Sequence, residues 1–234
     1  MPNKKKTLKE LEECVLAHDA GSDVRLTRIL AELRKGFAFL ETFACDKVVT
    51  IFGSARTKRG TKYYKMAEQL GEKLSKEGMT VITGGGPGIM EAANKGASKG
   101  DGRSVGINIY LPNGERRNQY IKESAGLYYF FNRKLMLAYS AEAYVYFPGG
   151  YGTLDELFEI LNLVITKKIT KKIPIVLVDR KFWLPLMEWM KKTLIKEGTL
   201  SKKNLEVFTI VDSVQEAFDI VKACHKEVPR SEQV

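Results

Sequence analysis

Ala143-Tyr144-Val145-Tyr146-Phe147-Pro148-Gly149-Gly150-Tyr151-Gly152-Thr153-Leu154-Asp155-Glu156 is the stretch that decides the fold. A short, almost wholly apolar run at 143–147 reads as a strand covered on both faces. It ends in a glycine-rich turn, and a helical pattern follows at 153–167. A buried strand that passes through a tight turn into a helix is half of a βαβ unit.

The same grammar extends in both directions. Strands are predicted at Val48–Phe52, Thr80–Thr83, Ser104–Ile109, weakly near Tyr128, at 143–147, at Ile175–Val178 and at 208–211. Helical patterns lie between and after them, at 61–76, 87–98, 131–141, 153–167, 182–197 and 214–226. Strands alternating with helices predict an α/β, Rossmann-like, doubly wound fold: a mainly parallel sheet, helices on both faces, right-handed crossovers. Ahead of it stand extra N-terminal helices at 8–17 and 24–43, the second with Ile29, Leu30, Leu33, Phe37 and Leu40 at helical spacing. They are expected to pack on the sheet or on a partner subunit. The organisation read here is an N-terminal helical extension (1–46), a Rossmann-like nucleotide-binding catalytic domain (47–226) and disordered ends at 1–6 and 227–234.

Composition narrows the function. A chain of 234 residues suits one large domain, and no apolar run approaches the ~18 residues of a membrane span. The basic start has no apolar stretch behind it, so a cytoplasmic location is the default. Cys14, Cys45 and Cys224 are too scattered for a disulfide framework or a zinc site and read as reduced thiols; no metal is expected. His18 and His225 stand near the ends, away from the glycine turns. The net charge of +10 comes from scattered lysines and short clusters such as Lys167-Lys168, Lys171-Lys172 and Lys202-Lys203. No nucleic-acid recognition motif accompanies them, so they read as solvated faces that attract small phosphate anions.

Two glycine turns carry the chemistry. Thr83-Gly84-Gly85-Gly86-Pro87-Gly88-Ile89-Met90-Glu91 lets the backbone approach a ligand just before a helix, and amides at a helix start meet anions. It is neither the G-x-G-x-x-G dinucleotide fingerprint nor a G-x-x-x-x-G-K-[ST] loop. Gly149, Gly150, Tyr151, Gly152 and Thr153 form the second turn, where free amides and the Thr153 hydroxyl are expected to hold a phosphate. Ligands of open α/β sheets bind at strand C-terminal ends, which is where both turns fall. Gly53-Ser54-Ala55-Arg56 follows the first strand at the same edge. Some residues keep two readings. Thr153-x-x-Glu156 is also a capping box, Glu91 is either a helix-start carboxylate or a ligand contact, and Tyr128 to Phe131 are either core or a stacking platform.

Taken together, the first turn with Glu91, the pair Arg133-Lys134 and the P-G-G-x-G-T-x-x-E segment resemble the Lonely Guy family. These are the cytokinin riboside 5'-monophosphate phosphoribohydrolases, long labelled lysine decarboxylases. The resemblance covers about 47–182 and is most specific at 148–156. It implies a dimer or larger homo-oligomer that hydrolyses the N-glycosidic bond of AMP or N6-substituted AMP without a cofactor. It places the catalytic pair on Arg133 and Glu156 and the 5'-phosphate on the second turn. Gly53, Ser54, Gly84, Gly85, Gly86, Glu91 and Lys134 are the accompanying substrate contacts. Many members carry His-Glu just before Arg-Lys, where this chain has Phe131-Asn132. A non-catalytic purine-nucleotide binding or sensing protein is the alternative that the loops alone support equally.

Overall fold

A computed structural model describes residues 21–110, 117–169 and 173–227. The expected helix at 8–17 with Cys14 and His18, the pair Lys171-Lys172, and 228–234 lie outside the described residues; of His225 only the backbone is described.

In chain order the elements are α1 (Ser22–Glu41), β1 (Val48–Phe52), α2 (Lys62–Lys76), β2 (Thr80–Thr83), α3 (Ile89–Ala97), β3 (Ser104–Ile109), β4 (Glu123–Leu127), α4 (Phe130–Tyr139), β5 (Ala143–Tyr146), α5 (Tyr151–Ile165), β6 (Ile175–Val178), α6 (Arg180–Trp189), β7 (Thr209–Val211) and α7 (Val214–Glu227). The strands form one 7-stranded sheet in the order β4-β3-β2-β1-β5-β6-β7, every neighbouring pair parallel. The chain winds outward from β1 to β4, returns to the other side of β1, and winds outward again to β7. This is the Rossmann-like, doubly wound fold expected from the sequence.

Side-chain alternation splits the core into two layers. Val49 and Ile51 of β1, with Val145 of β5, face α2, α3 and α7; Val48 and Phe52, with Tyr144 and Tyr146, face α1, α4, α5 and α6. The covering face changes where the winding direction reverses, as crossovers of one hand require.

Three boundaries differ from expectation. The strand expected near Tyr128 is Glu123-Ser124-Ala125-Gly126-Leu127, a poor strand sequence. Pairing with β3, from Val105↔Glu123 to Ile109↔Leu127, makes it the sheet edge, and the aromatics beyond it lead into α4. α5 begins at Tyr151, so Gly152 and Thr153 belong to the first helical turn rather than to a loop. The single helix expected at 182–197 is α6 up to Trp189 followed by a π-helical turn, Met190–Ile195, with Met187 and Met190 both buried.

Candidate active site

β1 and β5 are neighbours whose following loops depart to opposite faces, and this switch point opens a crevice at their C-terminal ends. The loops are stitched together by backbone bonds: Ser54 N–H donates to the Pro148 carbonyl at 3.1 Å, and Ile89 N–H to the Ser54 carbonyl at 3.1 Å. Gly88 makes that seam possible. Its φ is 70°, and a Cβ there would run into the Ser54 carbonyl. The crevice is a cavity of about 660 Å³, within the usual size range for small-molecule sites.

Of the residues expected at the site, Gly53, Ser54, Gly84, Arg133, Gly150, Tyr151, Gly152, Thr153 and Glu156 line this cavity. Five do not. Gly85 and Gly86 lie behind Gly84, where their carbonyls accept from the Asn118 side chain at 3.2 and 3.1 Å. Gly149 packs beneath Thr153, where a Cβ would collide with the threonine side chain. Glu91 is turned to Arg59 (2.7 Å) and the Tyr64 hydroxyl (2.8 Å). Burial pushes its carboxyl up, but those two donors outweigh burial and hold it below the ordinary range. Lys134 is spent on ion pairs with Asp155 (3.0 Å) and Glu159 (3.4 Å), tying α4 to α5.

Arg133 and Glu156 reach the same space from α4 and α5. The Arg133 guanidinium is anchored by Nε to the Ile107 carbonyl at 2.9 Å and by Nη2 to the Gly84 carbonyl at 3.4 Å. A Cβ on Gly84 would overlap Nη2, so this close approach requires glycine. Burial lowers the guanidinium from its usual value and the Glu156 charge works against that shift. Glu156 is 8% exposed and its carboxyl is pushed up to about 7. Burial is the main cause; Arg133 opposes it and Glu159 adds to it.

The capping-box reading of Thr153-x-x-Glu156 is overturned. The N-cap of α5 is Gly150, no side chain caps it, and Thr153 stands inside the first turn. The first intrahelical bond is donated by Leu154 to the Gly150 carbonyl, and among the described residues the amides of Tyr151, Gly152 and Thr153 have no acceptor, which leaves them available to an anion at the cavity wall. Near neutral pH the site can thus present amide donors, a fixed cation and a carboxyl that changes charge. Among the described residues no group of three His, Cys, Asp or Glu is placed to hold a metal ion.

Other residues carry the site without a clear sequence signal. Arg56 lines the cavity, and among the described residues its guanidinium makes no hydrogen bond or ion pair; the sequence marks its loop as a turn at the sheet edge but gives no signal for its cation. Asn118 secures the first glycine turn from far along the chain and also donates to Asn94 at 3.0 Å. Met90, Phe130 and Asp155 also line the cavity. Leu161 of α5 is core, at 4% exposure.

The family model described as "Possible lysine decarboxylase" matches residues 90–221, more than half of the chain. The chain belongs to that family, which is the Lonely Guy family of the sequence reading. One relative, the probable cytokinin riboside 5'-monophosphate phosphoribohydrolase LOGL5 of Oryza sativa subsp. japonica, is 30% identical over 160 residues. That alignment spans 66% of this chain and 63% of the rice protein. A cytokinin riboside 5'-monophosphate phosphoribohydrolase of Rhodococcoides fascians is 24% identical over 180 residues, 76% of this chain and 90% of that protein. Among solved structures, the molybdenum cofactor carrier protein of Chlamydomonas reinhardtii superposes with a TM-score of 0.56 at 21% identity. It covers 78% of this chain and 99% of the carrier protein, a likeness of fold. Among the described residues no helix is long and apolar enough to cross a membrane.

Proposed function

We propose that this member of the family hydrolyses the N-glycosidic bond of AMP or N6-substituted AMP, releasing the purine base and ribose 5-phosphate. The observation that carries the reading is the meeting, on one cavity wall, of Glu156 with its raised carboxyl, the anchored Arg133 and the open amides of α5. The phosphoribohydrolase names of the two relatives point the same way.

The chemistry follows from charge. As the bond from ribose C1' to the purine nitrogen breaks, its electron pair leaves with the base and positive charge grows on the sugar. The Glu156 carboxylate stabilises that charge and takes the proton of the water whose oxygen bonds to C1'. Arg133 offsets negative charge on the departing base, and the proton that Glu156 takes from the water is released to solvent as the base takes one up, which restores the carboxylate. The free amides at Tyr151, Gly152 and Thr153 seat the 5'-phosphate and so set the ribose against Glu156.

Decarboxylation of an amino acid through a lysine Schiff base to pyridoxal phosphate has less support. Lys134 is the one lysine near the cavity that the motif suggests, and although burial lowers its value, Asp155 and Glu159 raise it overall. A lysine held as a cation is a poor Schiff-base nucleophile.

The assay is incubation with AMP and N6-substituted AMP, with chromatography for free base and ribose 5-phosphate. Stoichiometric release of both supports the hydrolase; tight AMP binding without release converts the reading into the purine-nucleotide binding alternative. The same reading takes the chain as a homodimer or larger homo-oligomer, with Phe131, Leu135 and Tyr139 of α4 exposed in a row at helical spacing.

A further inference from the structure

The first turn of α4 carries Arg133, yet α4 has neither a side-chain cap of its own nor an acidic residue in that turn. The missing carboxylate comes from the N-terminal helix. Glu32 of α1 accepts from the backbone N–H of Tyr128 at 2.7 Å and of Tyr129 at 3.2 Å, and from the side-chain amide of Asn132 at 2.9 Å. Asn132 is buried at 1% exposure and also reaches the Ile29 carbonyl of α1 at 3.5 Å. One turn before Glu32, the Arg28 guanidinium lies 4.1 Å from the centre of the Tyr128 ring. Farther along, a Cβ on Gly36 would press on Met136, and Phe37 meets Tyr139 edge to face at 5.5 Å. Contacts 32–129, 36–136 and 37–139 advance together, so this part of α1 runs parallel to α4.

From this geometry we infer that Glu32 is a positioning residue for Arg133, a cap supplied from the N-terminal helix. A carboxylate that accepts three donors at a helix start opposes the positive end of the helix dipole and fixes the first turn in direction and phase. Asn132, which shares that carboxylate, is the immediate neighbour of Arg133, whose own N–H closes the turn on the Tyr129 carbonyl at 3.1 Å. Anchored there, the turn aims the guanidinium at the carbonyls of Ile107 and Gly84 and at the cavity. The N-terminal helix is thereby part of the working site rather than an appendage to it. As a statement about turnover this rests on the hydrolase reading; as a statement about where Arg133 points it does not.

The test uses the full chain with Glu32→Ala and, as a control, Arg28→Ala, which removes the other contact of α1 to Tyr128 and leaves the carboxylate. Thermal melting selects conditions in which both variants are folded. The readout is the titration of Glu156, followed by carbon-13 NMR of glutamate-labelled protein and assigned by its loss in Glu156→Gln. Glu156 is faced by Arg133 and Lys134 from α4 and by Asp155 and Glu159 from its own helix, so withdrawal of Arg133 removes the strongest opposing charge. Glu32→Ala should move the Glu156 midpoint upward by at least about half a pH unit. It should also lower kcat for AMP by about tenfold or more with KM little changed. Arg28→Ala should leave the midpoint at its wild-type value. An unmoved midpoint in Glu32→Ala overturns the inference, and so does an equal movement in Arg28→Ala, which would assign the effect to general docking of α1. If the wild-type protein turns over no nucleotide, the hydrolase reading fails while the titration still decides the role of Glu32.

Discussion

Arg133 and Glu156 share one cavity without sharing an ion pair. The guanidinium donates to the backbone carbonyls of Ile107 and Gly84, and among the described residues the Glu156 carboxyl receives no hydrogen bond. A carboxyl kept free of its nearest cation is available to a substrate, and its charge is not already neutralised. Glu156→Gln preserves shape and burial but removes the charge. Turnover of AMP should fall by about a thousandfold or more, while the dissociation constant for AMP, measured by calorimetry, should stay within about threefold. Unimpaired turnover would remove Glu156 from the chemistry.

The raised carboxyl sets a pH dependence with a definite sign. If the carboxylate is the working form, kcat/KM for AMP should rise with pH and reach half its plateau near 7. A profile flat from pH 5 to 8 would exclude that assignment.

Stability should run the opposite way. With a folded value of about 7 against an ordinary 4.5, the native state binds more protons than the unfolded chain between those limits. Stability from this group is therefore complete below about 4.5 and is lost as pH rises through about 7. The gap corresponds to at most about 3 kcal/mol. Glu156→Gln escapes this loss, so its melting temperature should exceed that of wild type at pH 8 and approach it at pH 5. A difference that does not change with pH would show that the Glu156 carboxyl is not raised.

The second turn and the place of Glu156 beside it are legible in the sequence because their logic is local, whereas the pairing with Arg133 is implied only by the family resemblance. A strand, a glycine turn and a helix follow one another within 143–165, and the chain itself delivers Thr153 and Glu156 to the strand ends. The support of the site was not legible because it is long-range. Asn118 grips Gly85 and Gly86, Glu32 grips Tyr128 and Tyr129, and Arg59 with Tyr64 takes Glu91 away from the cavity; no periodicity records such partners. Edge strand β4 was misplaced for a related reason, since pairing with β3 outweighs the weak propensity of Ser124, Ala125 and Gly126. Thr153-x-x-Glu156 fits the capping-box spacing, yet α5 starts early enough to place both residues inside the helix.

The proposed self-association has a candidate surface on α4. Phe131, Leu135 and Tyr139 are 53%, 40% and 71% exposed on one face of α4, a contiguous apolar row that a monomer would leave in water. Light scattering should find the wild-type protein as a dimer or larger at micromolar concentration and Leu135→Glu as a monomer of unchanged circular dichroism. A monomeric wild type would remove the oligomer from the proposal.

Two glycines on the cavity wall separate positioning from phosphate binding. A methyl group on Gly84 would meet Arg133 Nη2 and approach Met90 Sδ at 2.9 Å. Met90 is flexible and can yield, but Arg133 is tied to Ile107 and must swing away. Gly84→Ala should therefore lower kcat by roughly ten- to a hundredfold with a smaller change in KM. Gly150, at φ −97° and ψ −152°, accepts alanine without backbone strain, and a Cβ there meets nothing within 4 Å. Because Gly150 lines the cavity next to Tyr151 and Gly152, the added methyl group is expected to crowd an anion seated on their amides. Gly150→Ala should raise KM for AMP and weaken competition by ribose 5-phosphate by about tenfold, with kcat near wild type. If Gly150→Ala binds AMP as wild type does, the phosphate is not seated on α5. If Gly84→Ala turns over normally, Arg133 need not stand where the structure holds it.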